Sequence, residues 1–149
     1  MPETLTETFA RFAEDAEFRR WNEGRKPESR FVYDEPLGRA RRIIIRACLR
    51  GFASRGFSLL DVGCNLGHYC LYYATIGGLA HGIDISVSLV SAAEERATEM
   101  GLRGASFEVA NAESFSGGPY DVVLCSEVLE HFRHPERALA SFGRCLRPM

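Results

Sequence analysis

The stretch LLDVGCNLGHY, residues 59 to 69, sets Asp61, Gly63, Asn65 and Gly67 at alternate positions between an apolar run and an aromatic-rich helix. Glycines at the end of a buried strand let backbone N–H groups face a ligand with no Cβ in the way. Asp84 closes the next apolar run, 21 residues beyond Gly63, where a carboxylate can accept both hydroxyls of a ribose. Turn and acid together imply a nucleoside-containing cofactor. A second group, Glu127, Glu130 and His131 in SEVLEHFRH, has the i, i+3, i+4 spacing that one helical turn would bring to a single face. Two oxygen donors and an imidazole suit Mg, Mn or Zn; without a metal, His131 is the candidate general base, with Glu130 and Glu127 beside it. His134 precedes Pro135 and reads instead as the residue that opens the following helix.

Other cofactor chemistries fit less well. Counted from Gly63, Asn65 and His68 stand where a dinucleotide fingerprint needs its second and third glycines, which argues against a nicotinamide or flavin. No Gly-Lys-Ser/Thr run exists for a phosphate-binding loop.

The elements that must position these residues follow a regular alternation. FSLLDV, LAHGIDI, ASFEVAN and YDVVLCSE read as strands; GHYCLYYATIG, SVSLVSAAEERATEMG and PERALASFGRCL read as helices. Ser86 is the expected N-cap of the second helix, Gly77 and Gly101 are expected stops, and Pro135 is the expected start of the last helix. Strand and helix in this rhythm predict an α/β fold with a doubly wound parallel sheet and a ligand crevice at the carboxyl ends of the strands. Ahead of it, residues 3 to 21 read as an amphipathic helix carrying Phe9, Phe12, Ala13 and Ala16, and Gly24 and Pro27 break the loop that follows. Another helix is expected over 36 to 50, from Pro36 to a stop at Gly51. The division is therefore 1–56, an N-terminal helical segment whose Trp21, Tyr33 and Arg39 suit a lid or substrate wall, and 57–149, the cofactor-binding domain.

Composition narrows the class. A chain of 149 residues with 46% hydrophobic and 26% charged residues is an ordinary globular one. The five cysteines, Cys48, Cys64, Cys70, Cys125 and Cys145, are odd in number and contain no C-x-x-C pair, which points to a reducing compartment and a cytoplasmic protein. The N-terminus lacks the basic start and apolar core of a signal peptide, and no apolar run is long enough for a membrane span. Residues 24 to 56 carry nine basic groups against three acids, with Arg39, Arg42, Arg46 and Arg50 at helical spacing and Ile43, Ile44 and Ala47 on another side. That stripe is a solvated face with snorkelling arginines or, alternatively, a polyanion-binding surface.

DVGCNLG resembles the D-x-G-x-G-x-G motif of the S-adenosylmethionine-dependent methyltransferases of Rossmann-like fold, with Asn65 in place of the middle glycine. HGIDIS, EVANAESF and YDVVLCSEVLEHFRHPERALASFGRCLRP resemble the later motifs of the same family in the same order, over residues 57 to 148. The likeness implies that Asp61 orients the methionine amino group and that the turn Gly63, Cys64, Asn65 and Gly67 approaches the methionine and ribose. It further implies that Asp84 binds the ribose hydroxyls and that Ile85 and Ala112 sandwich the adenine. Asn111 or Glu113 would accept from the adenine amino group, and Cys125 and Ser126 would form the floor beneath the sulfonium.

The fourth-strand segment is similar to that of ubiquinone-biosynthesis O-methyltransferases. Its E-x-x-E-H run also resembles the metal cluster of small-RNA 3'-terminal 2'-O-methyltransferases, so a divalent metal and an RNA acceptor stand as the less favoured alternatives. The expectation is an enzyme that methylates an oxygen, or a nitrogen, of a small molecule with S-adenosylmethionine. A non-catalytic cofactor-binding module is the remaining alternative. Because the chain stops at LRPM, directly after the helix that follows the fourth strand, it is expected to be truncated and to leave a sheet edge open to a partner chain or a second copy.

Overall fold

The computed structural model describes residues 36–148. The expected helix over 3 to 21, the loop after it, Trp21, Tyr33 and the side chain of Arg39 lie outside the described residues.

The described chain opens with α1 (Pro36–Ala53) and continues as β1 (Ser58–Val62), α2 (His68–Thr75), β2 (Leu79–Asp84), α3 (Val87–Glu99), β3 (Ala105–Val109), β4 (Val122–Cys125), a 3-10 turn (Leu129–His131) and α4 (Pro135–Cys145). The four strands form one parallel sheet in the order β3-β2-β1-β4. The chain leaves β1 toward β2 on one side and later returns to pair β4 on the other, so the carboxyl ends of β1 and β4 flank a topological switch point. That is the doubly wound α/β architecture expected. Among the described residues no helix is long and apolar enough to cross a membrane.

The alternation of side chains along β1 builds two cores. Leu59 packs with Leu49 of α1, Tyr69 and Tyr73 of α2, and Val90 and Ala93 of α3. Leu60 and Val62, of opposite parity, pack with Ile83 and with Ala138, Phe142 and Cys145 of α4. A strand covered on both faces has no polar-out position to spare, which is why β1 reads as a continuous apolar run. Asp61 is the exception, and it is buried.

Local signals hold at most element ends. The Ser86 hydroxyl caps α3 by accepting from the Leu89 amide, and Gly101 adopts φ 65 just past its end. Pro135 occupies the first turn of α4. At α1 the expectation fails: the helix runs through Gly51 to Ala53, because Phe52 and Ala53 pack against the first core together with Ile45 and Leu49. The turn comes at Gly56, with φ 70. The same packing puts Ile45 and Leu49 inward and leaves Ile43 and Ile44 on the exposed side.

Glycines do two different jobs here. A Cβ on Gly67 (φ 76) would lie 2.6 Å from the Phe107 ring, whereas one on Gly77 (φ 86) would meet open space. Gly77→Ala should therefore cost only backbone strain, about 1 kcal/mol. Gly67→Ala should cost about 3 kcal/mol, since strain and overpacking add. Urea titration of both variants checks this; equal losses would contradict the packing account.

Candidate active site

The glycine turn after β1 is held by a few hydrogen bonds. The amides of Gly63 and Cys64 both donate to the Ile83 carbonyl of β2, at 2.8 and 3.0 Å, and the Gly67 amide donates to the Cys64 carbonyl at 2.8 Å. Gly63, Asn65 and Gly67 all take positive φ, at 68, 52 and 76. Asn65 tolerates that geometry because its Oδ1 accepts from the next amide, Leu66, at 2.8 Å. Asparagine thus replaces the middle glycine without losing the turn. No Cβ fits on Gly63, where it would lie 2.4 Å from Cγ2 of Val128.

Two carboxylates stand at neighbouring strand tips. Asp84, the last residue of β2, accepts from the Asn65 amide at 3.0 Å through one oxygen and from the Ser86 amide at 2.9 Å through the other. Burial raises its pKa, and those backbone donors oppose the rise. Asp61 is 3% exposed and accepts from the Cys70 thiol at 3.9 Å. Burial, and then the negative charge of Asp84, pushes the Asp61 carboxyl up to about 8.

Around this pair, Ile85 stays 51% exposed while Ala112 is buried. Asn111 is exposed, and its Oδ1 accepts from the Glu113 amide at 2.9 Å. Glu113 points its Oε1 at the amides of Arg133 and His134, at 3.0 and 3.2 Å. That oxygen anchors the segment leading into α4, so each of the two expected adenine-amino acceptors already receives backbone N–H groups through one oxygen.

At the tip of β4, Cys125 and Ser126 are half-buried. The Cys125 thiol is pushed up to about 11, mainly by burial and further by Asp61 and Glu130, which places all three within one electrostatic environment. The helical turn expected to align Glu127, Glu130 and His131 does not form. Glu127 takes φ 59, a left-handed conformation that no α-helix continues, and only Leu129–His131 coil into a 3-10 turn. Glu127 instead pairs with Arg41 of α1. His131 keeps its neighbour: Nε2 lies 3.6 Å from Glu130 Oε1, with the imidazole 10% exposed. Among the described residues no group of three or more His, Cys, Asp or Glu side chains is placed to hold a metal ion. His134 is exposed at the start of α4, its Nδ1 3.4 Å from Glu136.

The arginine stripe of α1 turns partly inward. Arg46 donates to Nε2 of the buried His68 at 3.0 Å and lies over the Tyr72 ring at 4.7 Å. Burial first, and the neighbouring arginines second, hold His68 neutral with its pKa down to about 3. Arg41, which reaches the β4 tip through Glu127, and the buried Tyr69 carried no motif; the signal for Tyr69 was its place in the first turn after Gly67.

Comparison with known proteins gives the family and the fold. A family model described as a methyltransferase domain matches residues 60–149. The chain is 38% identical over 96 residues to the ubiquinone biosynthesis O-methyltransferase of Methylococcus capsulatus, covering 62% of this chain and 40% of that protein. It is 33% identical over 96 residues to the Thiobacillus denitrificans protein of the same name, covering 62% and 41%. The chain thus spans about two fifths of the length of these relatives. Among solved structures, magnesium protoporphyrin IX methyltransferase from Synechocystis, solved with bound SAM, superposes with a TM-score of 0.64 over 95% of this chain and 71% of its own, at 22% identity. A protein solved in work on the conversion of a disulfide bond into a thioacetal group during echinomycin biosynthesis gives 0.60 at 30% identity, over 68% and 45%.

The buried carboxyl pair makes stability depend on pH in a definite sense. Asp61 has a folded pKa of about 8, well above its unfolded value of about 4. The folded state therefore binds more protons than the unfolded state between those limits, and stability falls as pH rises through that window. Asp61→Asn should flatten this fall. Urea unfolding of the ligand-free chain across the window checks it, and an unchanged slope in the variant would refute the assignment.

Proposed function

Starting from the chain's membership of the class I S-adenosylmethionine-dependent methyltransferases, through the methyltransferase-domain family that residues 60–149 match, we propose that it transfers a methyl group to an oxygen of a small-molecule acceptor. The observation that carries the reading is the placement of Asp61 and Asp84 at the carboxyl ends of adjacent parallel strands, beside the positive-φ turn that follows the first of them.

The residues fit the cofactor. Each Asp84 oxygen accepts one backbone N–H and retains lone pairs for a ribose hydroxyl. Asp61 is a poor place for an isolated negative charge and a good one for an ammonium, which brings its carboxyl back to the ionised form. Ile85, half-exposed, and Ala112 offer apolar contact to the adenine, with Asn111 at its edge, while Cys125 and Ser126 line the floor. The bound sulfonium supplies an electrophilic methyl group.

The protein's own contribution is to hold an acceptor oxygen in line near the β4 tip and to remove its proton. His131 is the general base in this reading, with Glu130 stabilising the imidazolium that forms and Glu127 bordering the acceptor space. The similarity to proteins named ubiquinone biosynthesis O-methyltransferases supports an oxygen as the acceptor atom.

Calorimetry with S-adenosylhomocysteine tests the cofactor assignment. Asp84→Ala should weaken binding about 100-fold, the effect of losing two hydrogen bonds to a charged group. Unchanged affinity would overturn the reading. Methyl transfer from labelled S-adenosylmethionine to a panel of hydroxylated small molecules tests the base: His131→Asn should lower kcat at least about 100-fold with cofactor affinity intact. Full turnover by that variant would remove His131 from the mechanism.

A further inference from the structure

Tyr69 stands in the first turn of α2, just past Gly67, with 5% of its surface exposed. Its hydroxyl is buried and has no hydrogen-bond partner among the described residues. Folded proteins rarely leave a phenol in that condition, because the group loses its water and gains nothing. Two fields of opposite sign meet there. The Asp61 carboxylate bears on the phenol from one side, and the guanidinium groups of Arg41, Arg42 and Arg46 bear on it from α1. Asp61 lies where a ligand's ammonium is best placed, so an anionic group one carbon away from that ammonium belongs on the arginine side. The unpartnered hydroxyl feels both charges.

We propose that the Tyr69 hydroxyl donates a hydrogen bond to the carboxylate of the cofactor's methionine end, positioning it while Asp61 takes the ammonium on the same carbon. The assignment rests on the cofactor reading above and deepens it. It accounts for an otherwise unfavourable buried phenol: the hydroxyl is kept for the ligand-bound state and is unsatisfied without it. Tyr69 is here a binding residue, and α1 acts through the positive field its arginines set up at that corner.

The test compares the full chain with Tyr69→Phe, which keeps the ring and its packing. Two probes are used: S-adenosylhomocysteine, which has the amino-acid end, and methylthioadenosine, which lacks it. The expected result is a loss of about ten- to one hundred-fold in S-adenosylhomocysteine affinity, with methylthioadenosine affinity unchanged. The ligand-free variant should also melt a few degrees higher, because an unsatisfied polar group has been removed. A purely structural role would move stability the other way. Unchanged S-adenosylhomocysteine affinity, equal weakening of both probes, or a lower melting temperature for the ligand-free variant would each overturn the proposal. Failure of the unsubstituted chain to bind either probe would overturn the cofactor reading, and this assignment with it; binding of methylthioadenosine alone would overturn only the assignment.

Discussion

One carboxylate braces the crevice. Asp84 holds the Asn65 amide through one oxygen and the Ser86 amide through the other, so it ties the glycine turn after β1 to the start of α3. Without those bonds, the three alternate positive-φ positions Gly63, Asn65 and Gly67 would have to be stabilised by glycine and asparagine preferences alone. The same carboxylate raises the cost of a charge on Asp61, one strand away. In the proposed function, a ligand that brings hydroxyls to Asp84 and a cation to Asp61 meets carboxylates already held in place. Preorganisation of this kind lowers the ordering cost of binding.

The crevice also has a closed side, made by the tip of β4. Glu127 adopts a left-handed conformation that reverses the chain, and Val128 then seats over Gly63 so closely that no other residue type fits at that glycine. Arg41 pairs with Glu127 and so links α1 to the same tip. An exposed pair of this kind contributes little to stability, about 1 kcal/mol or less. The packing of Ile45, Leu49, Phe52 and Ala53 on the first core is what places α1, and the pair adds a contact between that helix and the β4 tip. The two cores on opposite faces of β1 set the remaining spacing, since α2 and α4 can approach the strand only as closely as Tyr73 and Phe142 allow.

Much of this was legible along the chain. The strands, the Ser86 cap, the Gly101 stop and the turn at Gly63 to Gly67 depend on windows of a few residues, in which side-chain period and permitted φ are local properties. The tolerance of Asn65 for the middle position followed from its short amide side chain, and its φ and its bond to Leu66 bear that out. The parallel order also followed from the alternation of strand and helix.

What the linear pattern misjudged lies where a distant partner outweighs local preference. Glycine at 51 should stop a helix, but Phe52 and Ala53 gain burial against the first core and carry α1 onward. Glu127, Glu130 and His131 have helical spacing, yet the chain must turn after β4 to cover Gly63, and Glu127 finds its counter-charge on α1. Glu113 also receives two amides ahead of α4 through one carboxylate oxygen, a tie that the linear pattern does not show. The residue sequence by itself determined the parallel α/β scaffold, the glycine turn and the acids at the strand tips, because periodicity and backbone preference act over short spans. The tertiary structure alone decided which side chains share the crevice, because that depends on register and packing between segments far apart in the chain.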